Sequence, residues 1–243
     1  MRIDIVQPDE NFGGMSYGQW AAEWNKWLFS EDPDTYDGGK VLFLRANPDY
    51  RPISTKKDSL RYADRNAIYD RTGSRGESIL DGVAIFVPIL TTVLFIGDNY
   101  EGKILRNEKD LRYYANKDND DNRKMWAAIK RKGDKNAFSL VKNLEDYRFE
   151  SPLFKLGVPK DSLLRERMDF TIKPGIYDAI TTGYFIMIRS LPPSFYRINF
   201  GGEGVGIYVI NSVYDIEVTQ RKKPLRDFSS AVLKSKIFRF RSK

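Results

Sequence analysis

The sequence predicts a mainly β fold with α elements at its margins: an antiparallel β-sandwich, jelly-roll or immunoglobulin-like, carrying an N-terminal helix and a two-helix insertion. Three observations point there. From Ala137 onward the segments AFSLV, YRFES, MDFTI, GYFIMI, YRINF, GIYVI and VYDIEV are separated by Asn143, Pro152, Pro159, Pro174-Gly175, Pro192-Pro193 and Gly201-Gly202. That is the text of short strands broken at turns. An apolar run from Val83 to Ile96, rich in β-branched residues, supplies a core strand, and one amphipathic helix opens the chain. With 243 residues, 41% of them hydrophobic, the chain can bury a sizeable core. Residues 1–220 read as one sandwich domain and 221–243 as a basic C-terminal arm.

The opening helix is predicted over 16–30. Tyr17, Trp20, Ala21, Trp24, Trp27 and Leu28 recur at the three-and-four spacing of one helical face. Ser16 with Gln19 forms a capping box, and Pro33 closes the segment. Such a stripe is expected to lie as a lid on a sheet. Val41-Leu42-Phe43-Leu44 reads as a short buried strand, and 47–80, rich in Arg, Asp and Ser, as a surface excursion. Pro88 restricts the central strand to an edge, a bulge or a break. Residues 107–132 read as two helices, one with Leu111, Tyr114 and Ala115 on its face, the second with Met125, Trp126 and Ile129, ended by Gly133.

Composition excludes several chemistries. The chain has no cysteine and no histidine, which removes disulfides, thiolate and imidazole metal sites, cysteine nucleophiles and triads built on histidine. No cofactor is expected. The opening residues hold no apolar run of a secretory signal. The Val83–Ile96 run falls short of the roughly 20 residues of a membrane helix. Charge is divided unevenly: residues 221–243 carry nine basic side chains against Asp227, a net of +8, which leaves −1 for the other 220 residues. A nearly neutral body thus bears a cationic end, and the question shifts from substrate to partner.

Four constellations could carry chemistry. Asp118, Asp120 and Asn122 stand at the alternate spacing of a calcium loop, but Arg123 and Ile129 occupy the positions where such a loop needs glycine and glutamate, so a solvated linker is the better reading. Gly202-Glu203-Gly204-Val205-Gly206 precedes a strand rather than a helix and is a turn, not a phosphate cradle. Glu145 with Asp146, or Glu166 with Asp169, are candidate carboxylate pairs for a hydrolase. Trp20, Trp24 or Trp126 could form the aromatic platform of a carbohydrate-binding module, against which a core role ranks higher.

The arm is the sharpest feature. In KSKIFRFRSK, Phe238 and Phe240 can face one way while Arg239 and Arg241 face the other, the period of a strand that needs a sheet edge to join. Arg221, Lys222, Lys223, Lys234, Lys236, Phe238, Arg239, Phe240 and Arg241 are the expected partner-binding residues. An acidic protein neighbour is the expected partner, with a tail that merely solubilises the chain as the nearest alternative, ahead of nucleic acid and of an anionic membrane; no obligatory small molecule is expected.

Several segments in order resemble a family of bacterial and phage proteins: Gly18-Gln19-Trp20 to Trp27, Phe43-Leu44, Gly82 with Phe86-Val87-Pro88-Ile89, Ser151-Pro152-Leu153-Phe154, Gly183-Tyr184, and Leu191-Pro192-Pro193 with Phe200-Gly201-Gly202, Tyr214, Ile216 and Val218. Ser194 and Tyr196 stand where the family has glycine and histidine, and the cysteines of exported members are missing. The resemblance implies a β-sandwich and places the chain with the phage members, as a virion component in a multi-copy assembly, capsid- or tail-associated.

Overall fold

The computed structural model describes residues 3–30, 39–45, 48–49, 75–120, 124–160, 173–203 and 209–220. In chain order its elements are β1 (Asp4–Ile5), α1 (Tyr17–Leu28), β2 (Val41–Phe43), β3 (Pro48–Asp49), β4 (Arg75–Leu80), β5 (Ala84–Phe95), β6 (Asn99–Tyr100), β7 (Lys103–Ile104), α2 (Glu108–Asp120), β8 (Lys124–Arg131), β9 (Phe138–Ser139), a 3₁₀ turn (Glu145–Tyr147), β10 (Arg148–Glu150), β11 (Phe154–Val158), β12 (Gly175–Ser190), β13 (Ser194–Glu203) and β14 (Val209–Thr219). The fold is mainly β and sandwich-like.

The first sheet is organised by β12, whose 16 residues outreach every other strand. One side of β12 pairs antiparallel with β5, from Ala179 opposite Phe95 to Ile188 opposite Ile85, and β2 runs parallel on the far side of β5. The other side of β12 takes β11, β10 and β1 in turn. The second sheet runs β9, β8, β13, β14, with β3 and the parallel β4 both on the outer side of β14. Pro88 sits in a central strand because the register slips between Tyr184 and Phe185, which face Leu90 and Pro88 and leave Ile89 as the extra residue. A bulge is where a residue without an N–H is tolerated.

The alternation of β12 distributes the layers. Ala179, Phe185 and Met187 look toward α1, where Trp24 meets Phe185 edge-on and Phe86 stacks on Phe185. Ile180, Thr182 and Tyr184 look the other way: Ile180 packs with Leu111 and Ala115 of α2, and Leu90, opposite Tyr184, lies against Gly202 of the second sheet. A Cβ on Gly202 would come within 2.6 Å of the Leu90 side chain, so this glycine sets how closely the sheets approach. One buried cluster is continuous from Trp24 through Phe86 and Phe185 to Ile129, Phe200 and Tyr214. Burying each such large apolar side chain contributes about 1.5–3 kcal/mol.

The capped helix forms as its sequence predicts: Ser16 Oγ accepts from the Gln19 N–H, Gln19 returns the bond, and α1 ends at Leu28. Two expectations are corrected. Of the two helices predicted within 107–132, only α2 is a helix; 124–131 is strand β8. Its apolar positions fit either period, and β13 supplies the backbone partners that decide it, with Ile198 opposite Ile129 and Phe200 opposite Ala127. Gly133 accordingly ends a strand, at φ +92. Likewise 75–80, read as part of a surface excursion, is β4, recruited by the β14 edge.

Candidate functional site

The outer face of the second sheet carries the most organised surface chemistry. In β13, Tyr196, Ile198 and Phe200 enter the core, so alternation turns Phe195 and Arg197 outward. Two cross-strand rows result. In one, Lys130, Arg197 and Asp215 stand side by side on β8, β13 and β14. In the next, Lys132, one residue past the end of β8, stands beside Phe195 of β13 and Glu217 of β14, held by the Lys132 N–H donating to the Phe195 carbonyl at 2.8 Å. Arg197 grips Asp215 with both arms of its fork, Nε to Oδ1 at 2.7 Å and Nη2 to Oδ2 at 2.8 Å. The Lys132 ammonium stands 4.9 Å from the Phe195 ring centroid, a cation–π contact on an aromatic that is 49% exposed. Together with Glu77 and Ser78 these residues line a groove of about 740 Å³, basic along β8 and acidic along β14.

A second polar centre ties α2 to the first sheet. Arg112, one turn after Glu108, bonds both Glu108 and Glu150; Asn116 donates to the other Glu150 oxygen at 2.7 Å. Arg148 pairs with Asp120 at 2.7 Å and donates to the Asn116 carbonyl. Beneath them, buried Asn119 donates to Thr182 Oγ1, which donates to the Ala115 carbonyl. Tyr184 donates to Glu145 Oε2 at 3.0 Å, and its phenol is pushed up to about 12 by burial, with the Glu145 bond adding to the shift. Each cation in this centre already holds an anion, so its chemistry is that of a clamp on α2 rather than of an open receptor.

The sequence candidates are dispersed. Asp118 accepts from the Tyr100 hydroxyl, and burial holds its carboxyl above the usual range, whereas Asp120 turns to Arg148. Two positions apart on a helix, the carboxylates point about 200° apart and cannot converge on one ion; Asn122 lies outside the described residues. Among the described residues no group of three or more acids stands ready for a metal. Of the paired acids, Glu145 takes the Tyr184 hydroxyl while Asp146 takes Asn143 Nδ2 at 2.9 Å; Glu166 and Asp169 lie outside the described residues.

Trp24 and Trp126 are buried, and Trp24 donates to the Leu44 carbonyl at 2.8 Å, so neither offers an exposed face to a sugar. Trp20 is half-buried between Phe12 and Phe43, its indole N–H on the Phe12 carbonyl. The arm residues Arg221, Lys222, Lys223, Lys234, Lys236, Phe238, Arg239, Phe240 and Arg241 lie outside the described residues. Phe195, Lys132 and Glu217 escaped the sequence reading. The alternation at Ser194-Phe195-Tyr196-Arg197 shows two faces but not which of them is wet.

No helix among the described residues is long and apolar enough to cross a membrane. Compared with known proteins, the chain matches no family model, no curated protein and no solved structure.

Proposed function

We propose that the chain is a non-enzymatic structural subunit of a phage-type virion, a capsid- or tail-associated accessory protein that docks on acidic neighbouring subunits through residues 221–243. The charge partition carries this reading: +8 on the last 23 residues against −1 on the rest. Cations spread evenly would serve solubility; concentrated on one segment with Phe238 and Phe240, they suit an acidic groove or sheet edge, where strand addition supplies backbone bonds and the charges select the partner. The ordered resemblance to phage proteins supports the kind of assembly.

The test is incorporation. Lys234→Glu, Lys236→Glu, Arg239→Glu and Arg241→Glu are combined in the full chain, and separately 221–243 is deleted; particles assembled with each are purified and their copies of the chain counted by mass spectrometry. Both changes are expected to leave the melting temperature of the body in place and to lower incorporation at least about tenfold, as loss of several complementary charges does. Normal incorporation of the charge-reversed chain rejects the proposal. Loss of incorporation only after nuclease treatment of the particles assigns the arm to nucleic acid instead.

A further inference from the structure

We propose that the groove on the outer face of the second sheet is a self-association surface that binds a second copy of this chain, about a two-fold axis running along β13. The surface is divided by sign. Lys130 and Lys132 stand on the β8 side, Glu217 and Asp215 on the β14 side, with Phe195 between them. Lys130, Lys132 and Glu217 carry no ion pair among the described residues. Neighbouring strands are roughly 4.8 Å apart, so the two charged rims stand about 10 Å from each other across β13.

Charge complementarity selects both the occupant and the symmetry. A face with one basic and one acidic rim is complementary to itself, and an isologous contact places residue i on j and j on i. Rotation about an axis parallel to β13 carries the β8 rim of one copy over the β14 rim of the other: Lys132 meets Glu217 twice, and Phe195 meets Phe195. Rotation about an axis across the strands would set basic rim on basic rim and is rejected by like-charge repulsion. Arg197 also lies on β13, but its guanidinium is drawn off the axis by the two-point bond to Asp215, so it brings no unneutralised charge to the centre. The aromatic that this alignment pairs is among the most exposed large apolar side chains described. An aromatic centre with a charged rim is the anatomy of a protein interface.

This contact is independent of the arm, and its failure would leave the arm proposal standing. The test is sedimentation equilibrium of the full chain at low salt and at about 0.5 M salt, where screening shortens charge interactions to a few ångströms. The wild-type chain is expected to dimerise at low salt and weaken at high salt. Lys132→Glu and Glu217→Lys, each creating two like-charge contacts, are expected to raise the dissociation constant about tenfold or more. The double variant, in which both charges are exchanged, is expected to recover the dimer. Phe195→Ser is expected to dissociate it while the melting temperature of the monomer, compared at high salt and low protein concentration where both chains are dissociated, stays in place, and Lys132→Ala with Glu217→Ala gives a second reading if a reversal perturbs folding. A wild-type chain that stays monomeric at low salt overturns the proposal. So does a double variant that fails to re-form the dimer, or a dimer that ignores these changes and falls apart when Lys236, Arg239 and Arg241 are reversed.

Discussion

Tyr17 shows how one side chain can hold three segments together. From the first turn of α1, its hydroxyl donates to the Val6 carbonyl at 2.8 Å and accepts from the Met187 N–H at 3.0 Å, while its ring stacks on Phe149 at 4.2 Å. Burial raises the phenol far above its ordinary value, so it remains a neutral donor across the working range. Tyr17→Phe keeps the stacking and strips the hydroxyl, leaving a buried carbonyl and a buried amide without their partner. The expected loss is about 1–3 kcal/mol, read as a lower urea midpoint at unchanged slope; an unchanged midpoint would mean that other groups satisfy Val6 and Met187. The sequence placed Tyr17 correctly on the helix's apolar face. It could not announce the hydroxyl's two bonds, because Met187 is 170 positions away.

At the scale of elements, α1 and the connection between β10 and β11 lie so close that only a glycine fits between them. A Cβ at Gly18 would stand 2.2 Å from the Glu150 carbonyl oxygen and 3.3 Å from the Ser151 Cα. Helix propensity and tertiary docking therefore make opposite predictions for Gly18→Ala. Propensity alone gives a gain of about 1 kcal/mol, whereas the clash is with backbone that cannot swing aside and is expected to give a net loss of about 1–3 kcal/mol. Chemical denaturation decides the sign, and a stabilised variant would show that α1 can ride away from β10 at little cost. The same contest between local text and neighbours governed β8. Met125, Trp126 and Ile129 can share a helical face, yet Met125, Ala127 and Ile129 share a strand face equally well, and only the open edge of β13 resolves the choice.

For the whole molecule, the tyrosines set an alkaline limit. Tyr184 titrates near 12 in the fold against 10.0 for an ordinary tyrosine, and Tyr17, Tyr147 and Tyr196 are shifted in the same direction, in each case chiefly by burial. A folded pKa above the unfolded one means that the unfolded chain releases its proton first as pH rises. The stability tied to neutral Tyr184 is therefore complete below about pH 10 and is lost as pH climbs through about 12. Urea midpoints are expected to fall steeply over that window, and Tyr184→Phe is expected to flatten the fall at the expense of the Glu145 bond at neutral pH. A variant with the same alkaline slope as the wild type would place the titration elsewhere.

What the sequence determined by itself was whatever depends on near neighbours and on counting: the capped tryptophan helix, the proline that confines its strand to an edge, a bulge or a break, the period-two text of a mainly β chain, the absence of thiol and imidazole chemistry, and the concentration of positive charge after residue 220. The tertiary structure decided the rest. It chose strand over helix for 124–131, drew 75–80 onto the β14 edge, turned Asp118 and Asp120 away from each other, and brought Phe195 out between a basic and an acidic rim. Each of those outcomes depends on a backbone partner or a packed face supplied by residues far along the chain, and a periodicity that suits two structures equally holds no information about which partner arrives.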